Sequence, residues 1–208
     1  MGHAVVLPEA ISSPSDYPTW STWSGTLIEL LPTAKRLTLV GHSSASVLVA
    51  QLANLLDTEA IVFVDGLVPP ASGPAGPVPA RLLGMLDALC GADGTLPPWS
   101  DWWINSPLRD AVGVPLLQAN ELAYQQFRQS LPHMTRDWFN DVVELSPWRH
   151  TPAGYLQLSS LYENSANEAE ALGWPVVRLQ GTHIHPTVAP NETASAIATL
   201  CAQLQIAA

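Results

Sequence analysis

Leu37-Thr-Leu-Val-Gly-His-Ser-Ser-Ala-Ser46 is the stretch on which the reading of this chain turns. Leu37 to Val40 is an apolar run of strand type, and Val47 to Leu56 continues as a helical stretch. Between them stands Ser43, with Gly41 two residues before it and Ala45 two residues after. A serine between small residues at a strand-to-helix turn reads as a nucleophile elbow, here G-x-S-x-A rather than G-x-S-x-G. The turn is sharp, so only small flanking residues fit. It lifts the hydroxyl clear of a sheet and toward a helix N-terminus, where backbone N–H groups and the helix dipole can stabilise an oxyanion. The plainer alternative is an N-cap serine; the preceding strand, the following helix and His42 favour the elbow.

Composition narrows the class. The 208 residues are 47% apolar and 12% charged, enough for one domain with a sizeable core. Lys and Arg number 8 against 18 Asp and Glu, a net charge of −10 that repels phosphate backbones and speaks against nucleic-acid binding. Cys90 and Cys201 make no zinc or C-x-x-C spacing and are expected as reduced thiols. No basic-then-apolar leader and no stretch of about 20 apolar residues stands out. The expectation is a cytoplasmic protein without a membrane partner.

Outward from the elbow, strands and helices alternate. Ala4–Leu7, ended by Pro8, reads as a short buried strand; residues 9–24 as a loop; Trp23–Leu31 as a helix stopped by Pro32. Ala60–Val64 is a further apolar strand ending in Asp65-Gly66. Gly154–Ser159 and Pro175–Leu179 add two strands, and Glu163–Leu172 and Asn191–Leu204 two helices. This alternation is the signature of an α/β fold with a parallel sheet, about five mainly parallel strands flanked by helices. Residues 67–80, crowded with Pro, Gly and Ala, read as irregular. Residues 80–150 read as helical and rich in Trp, Tyr and Phe. The chain is therefore expected as a single domain, 1–208, with residues 67–150 inserted as a helical, Trp-rich cap over Ser43.

Three further blocks bring a family into view: Ile61-Val-Phe-Val-Asp65, Gly154-Tyr-Leu-Gln-Leu-Ser-Ser-Leu-Tyr162 and Gly173-Trp-Pro-Val-Val-Arg-Leu-Gln-Gly-Thr-His-Ile-His-Pro186. With the elbow and with Pro97-Pro-Trp-Ser-Asp-Trp-Trp103, the chain resembles the α/β-hydrolase fold family, and within it the small serine hydrolases of actinomycete type. The resemblance departs at the start. Such hydrolases open with a strand ending in His-Gly, whose following loop supplies a second oxyanion donor. Here Gly2-His-Ala-Val-Val-Leu-Pro8 matches the next strand instead, so the first strands are absent and the sheet is reduced. The Ser44 N–H remains as one donor; the second is expected from the loop Glu9–Ser13.

The resemblance implies a Ser-His-acid triad in that chain order. A serine hydroxyl is a weak nucleophile at neutral pH and needs a base within hydrogen-bond reach. His183, after the last strand, is the favoured base, with His185 as the alternative. Two carboxylates compete as the acid: Asp65, at the C-terminal end of an apolar strand, is favoured, and Glu163, in the usual position of the acid, stays open. His42, Trp99, Trp102 and Trp103 are candidates to contact substrate. No acidic cluster accompanies the histidines, so neither a metal nor another cofactor is expected.

The expected activity is hydrolysis of a small-molecule ester, thioester or lactone with an apolar acyl group. Two alternatives remain: a lyase or cyclase that tailors natural products on the same fold, and a degenerate, non-catalytic binding protein. An uncovered sheet edge would also allow a homodimer.

Overall fold

The apolar runs of the sequence form one parallel sheet in the computed structural model, which describes residues 4–8, 19–31 and 36–206. In chain order the strands are β1 (Leu37–His42), β2 (Thr58–Val64), β3 (Gly73–Ala75), β4 (Val143–Leu145), β5 (Ala153–Gln157) and β6 (Val176–Arg178). The helices are α1 (Trp20–Leu30), α2 (Ala45–Leu52), α3 (Ala80–Leu89), α4 (Arg109–Val112), α5 (Val114–Gln118), α6 (Glu121–Ser130), α7 (Glu163–Ala171), α8 (His185–Val188) and α9 (Pro190–Ile206). The sheet runs β1-β2-β5-β6 with every pairing parallel.

Side chains of a strand alternate between faces, and the central strands use both for burial. Ile61 and Phe63 of β2 and Tyr155 of β5 join a core with α1, α2 and α7. Val62 and Val64 of β2 and Leu156 of β5 join a second core against α9, which brings Ala196, Leu200 and Leu204. Burial on both faces explains why these strands read as continuous apolar runs rather than alternating ones.

The architecture is a reduced α/β fold, with four parallel strands against the expected five or so. The difference lies at Ala4–Leu7, which is no strand. It has no ladder partner among the described residues, and Val5 and Leu7 are 87% and 88% exposed. Helix α1 begins at Trp20 rather than Trp23, and Leu31 turns extended at ψ 139°, the conformation forced on a residue before proline. The stop expected at Pro32 and the loop Glu9–Ser13 lie outside the described residues.

Residues 67–80 are not wholly irregular. β3 pairs antiparallel with β4, and Pro74 sits in this two-stranded ribbon, where a missing N–H can be tolerated. The rest of 67–150 is short helices around a separate core of Leu86, Trp102, Trp103, Val112, Val114 and Phe139. Among the described residues no helix is long and apolar enough to cross a membrane.

Candidate active site

Parallel strands end at one edge of the sheet, and here that edge gathers the polar residues. Ser43 follows β1, Asp65 follows β2, Ser159 and Tyr162 follow β5, and His183 follows β6.

Two of these positions are strained. Ser43 at φ 58° and Asp65 at φ 41° are the non-glycine residues with positive φ among those described. A left-handed non-glycine residue costs about 1–3 kcal/mol and persists only where its surroundings hold it. The Ser43 N–H donates to the Val64 carbonyl at 3.0 Å, which extends the β1–β2 ladder to the turn. The Ser43 carbonyl accepts from the Ser46 N–H at 3.1 Å and the Ser46 hydroxyl at 2.7 Å, which ties it to the start of α2. Small residues let the elements close up. A Cβ at Gly66 would lie 2.5 Å from the Ser43 carbonyl oxygen, and one at Gly41 would lie 2.9 Å from that of Ala45. Gly66 is itself bracketed by Tyr155, whose hydroxyl donates to the Gly66 carbonyl at 2.6 Å and accepts from its N–H at 3.2 Å.

The turns bring three side chains into line. Ser43 Oγ lies 3.0 Å from His183 Nε2, and His183 Nδ1 lies 2.8 Å from Asp65 Oδ2. A carboxylate can only accept, so Nδ1 carries the proton and Nε2 is free to accept from the Ser43 hydroxyl. Asp65 is fully buried, yet its oxygens are saturated. Oδ1 accepts the N–H groups of Leu158 and Ser159, both at 2.9 Å, and Oδ2 accepts the Ser159 hydroxyl at 2.7 Å as well as His183. Burial alone would raise its pKa. The adjacent His183 and the Ser159 donors outweigh that and hold the carboxyl below its ordinary value. A serine so arranged can pass its proton to the imidazole as it attacks a carbonyl carbon, while the carboxylate stabilises the imidazolium.

The other candidates are distributed around this line. Ser44 caps α2 and borders the cavity beside Ser43, and its N–H makes no backbone hydrogen bond among the described residues. His42 does not border the cavity. Its Nε2–H donates to the His183 carbonyl at 3.0 Å, and the two rings lie 4.7 Å apart. Burial, with His183 alongside, pushes the His42 pKa down to about 4, so it is a neutral buttress. His185 packs against Gly181 and pairs with Glu192 at 3.0 Å. Glu163 opens α7 exposed to solvent, while Asp65 occupies His183 Nδ1.

Trp99, Trp102 and Trp103 all border the cavity, of about 210 Å³, that opens onto Ser43 and His183. The Trp99 ring lies 6.3 Å from that of His183. Trp102 anchors its Nε1–H on the Pro97 carbonyl at 2.8 Å. Apart from Ser43, Ser44, Tyr162 and His183 the lining is apolar, with Trp20 and Trp138 closing it from the α1 side and from 67–150. A larger, shallow hollow of about 530 Å³ lies by Trp174, Val176 and Gln203, at the other end of β6 from His183, and holds no titratable side chain. Among the described residues no group of three His, Cys, Asp or Glu side chains could hold a metal ion.

Two site residues carried no local signal in the sequence. Ser159 contacts Asp65 only because β2 and β5 are neighbours. Tyr162 stacks on His183, centroids 5.4 Å apart and planes at 26°, and borders the cavity beside Ser43. Gly154–Ser159 was legible as a strand, and the block on to Tyr162 as part of the resemblance, with neither Ser159 nor Tyr162 read as a site residue.

No known family profile matches the chain, and no curated protein matches it in sequence. Solved structures do match. An extracellular α/β-hydrolase from a Paenibacillus species, described as sharing structural and functional homology with tobacco salicylic acid binding protein 2, superposes with a TM-score of 0.66. That match has 18% identity and covers 88% of this chain and 80% of the other. Tomato methylketone synthase I bound to 2-tridecanone gives 0.58 at 14% identity, over 92% and 81% of the two chains. Polyneuridine aldehyde esterase gives 0.57 at 14% identity, over 88% and 80%. At these identities the likeness is one of fold: the chain has a reduced α/β-hydrolase fold.

Proposed function

We propose that the chain is a serine hydrolase acting on an ester, thioester or lactone with a small apolar acyl group. The observation that carries this reading is the line Ser43 Oγ, His183 Nε2, His183 Nδ1, Asp65 Oδ2, closed by hydrogen bonds of 3.0 and 2.8 Å at a strained turn. In this reading Ser43 Oγ attacks the acyl carbon and gives its proton to His183 Nε2. The carbonyl electron pair moves to oxygen, where the Ser44 N–H at the start of α2 receives it. The intermediate collapses, the bond to the leaving group breaks, and Nε2 returns its proton to that group. Water, deprotonated by the same nitrogen, then releases the acid. No cofactor enters the scheme.

Segment 67–150 acts as the cap. Its Trp99, Trp102 and Trp103 and the limited volume of about 210 Å³ favour a compact acyl group without charge. Two of the structural neighbours are named as a hydrolase and an esterase, which agrees with this chemistry.

The test is intact-mass spectrometry after exposure to a fluorophosphonate, comparing wild type with Ser43→Ala. One adduct on wild type, absent from the variant, is the expected result. A folded wild type that takes no adduct removes the activated nucleophile, and the reading falls to a lyase, cyclase or binding role.

A further inference from the structure

The base of a serine hydrolase becomes a cation in the transition state, and this fold buries that base. His183 is 6% exposed, so the imidazolium formed when Ser43 gives up its proton has little water to solvate it. Its neighbours must supply what water does not. Among the described residues, the groups that face the imidazole come from several elements. Ser43 Oγ stands 3.0 Å from Nε2, and Asp65 Oδ2 stands 2.8 Å from Nδ1. The ring centroids of His42, Tyr162 and Trp99 lie 4.7, 5.4 and 6.3 Å from that of His183. Among these groups Asp65 carries the one charge, since His42 stays neutral down to about pH 4.

We infer that the face of the Tyr162 ring stabilises the imidazolium of His183 in the transition state, an inference that rests on the hydrolase reading of Ser43, His183 and Asp65. The planes are 26° apart and the centroids 5.4 Å, an offset stack inside the distance of about 6 Å at which a cation feels the negative face of an aromatic ring. The Trp99 ring, at 6.3 Å, stands beyond it. Tyr162 ends the 3-10 turn Ser160–Tyr162 after β5 and packs against the core that β2 and β5 share with α1, α2 and α7, which holds the ring in place. The attraction acts on charge, so it is stronger after Ser43 Oγ has passed its proton to Nε2 than before. That difference is the condition for lowering a barrier rather than merely binding. Asp65 compensates the cation at Nδ1, and Tyr162 compensates it from the face. The role belongs to the ring, whatever the phenol hydroxyl contacts.

The test varies the charge of the ring face at nearly constant shape. Tyr162→Phe sets the reference, and mono-, di- and trifluorinated forms of that phenylalanine drain the face stepwise. The readout is the rate of labelling by a fluorophosphonate, which needs no known substrate. Ser43 Oγ bonds to phosphorus, fluoride leaves, and His183 Nε2 takes the proton. The limiting rate is expected to fall with each fluorine, by roughly 3- to 30-fold across the series. The same loss makes the resting imidazole harder to protonate, so the acid limb of the rate should move to lower pH by roughly 0.5 to 1.5 pH units. A ring that only packs against His183 would give one limiting rate and one acid limb throughout the series. That result overturns the inference while the hydrolase reading stands. A folded wild type that takes no fluorophosphonate overturns both.

Discussion

Ser159 gives Asp65 two hydrogen bonds, its N–H to Oδ1 at 2.9 Å and its hydroxyl to Oδ2 at 2.7 Å, across the junction of β2 and β5. The carboxylate is thereby oriented from behind while His183 takes its front. A hydrogen bond to a charged group is worth about 1.5–3 kcal/mol, so the Ser159 hydroxyl is a positioning group of real weight. Ser159→Ala is expected to lower kcat about tenfold or somewhat more, and Asp65→Asn roughly 10⁴-fold, because an amide would hold the imidazole in the wrong tautomer. Equal kcat values for Ser159→Ala and wild type would remove Ser159 from the relay. Stability carries the same signature. The Asp65 carboxyl is held below its ordinary pKa, so its contribution is complete above the unfolded value of about 3.9 and is lost as pH falls through the folded value. Ser159→Ala brings the folded value closer to the unfolded one, so the variant should lose less unfolding free energy than wild type as pH falls below about 4 in urea unfolding.

The strain at Ser43 predicts a trade of function against stability. At φ 58° the residue occupies a region that costs a Cβ-bearing residue about 1–2 kcal/mol and glycine almost nothing. Ser43→Ala and Ser43→Gly both remove the hydroxyl, but only glycine relieves the turn. Ser43→Gly should be the more stable of the two by about 1 kcal/mol in chemical denaturation. A less stable glycine variant would mean that the turn holds no such strain.

His42 supplies a pH dependence of the opposite protonation type. Its folded pKa lies near 4, below the ordinary value of 6.5. Between those values the unfolded chain binds a proton that the folded chain refuses, so stability falls as pH falls, by about 1.4 kcal/mol per unit and about 3 kcal/mol in all. Above pH 6.5 both forms are neutral and the effect vanishes. His42→Asn should flatten the slope of unfolding free energy between pH 6.5 and 4. Parallel slopes in the two proteins would show that His42 titrates normally in the fold.

How much of this was legible in the sequence differs by element. The strand β2 was readable because a strand buried on both faces is a continuous apolar run, and the turn at Ser43 because Gly41 and Ala45 are the sizes that close packing demands; β1, with Val40 46% exposed at the sheet edge, was readable as the apolar run leading into that turn. Ala4–Leu7 has the same composition and is exposed, since an apolar run makes a strand only where a neighbour offers a ladder. β3 was hidden because its pairing with β4 is long-range and tolerates Pro74 at an edge. For the carboxylate, sequence order admitted Asp65 and Glu163 alike; three-dimensional reach puts Asp65 against His183 and leaves Glu163 in solvent. Ser159 and Tyr162 had no motif of their own, and their places follow from strand order β2-β5-β6 alone.

The cavity wall offers the last expectation, and its tryptophans are not equivalent. Trp102 and Trp103 are 4% and 6% exposed, and Trp102 also carries an anchoring bond and an edge contact with Phe139 at 5.7 Å. Truncating either leaves a void in the core of 67–150, at a cost of about 3–5 kcal/mol. Trp99 is only partly buried and faces the His183 ring, so its loss should spare the fold and fall on the substrate. Removing an aromatic contact worth about 1.5–3 kcal/mol predicts a KM raised roughly 10- to 100-fold in Trp99→Ala for esters whose apolar acyl group fills the cavity. kcat should hold, because the ring binds substrate and transition state alike. A short acetyl ester, too small to reach the ring, should show no change. Equal KM values for long and short esters in wild type and Trp99→Ala would take Trp99 out of the acyl pocket and leave it as packing for Trp103 and Phe127, its neighbours at 5.6 and 6.2 Å.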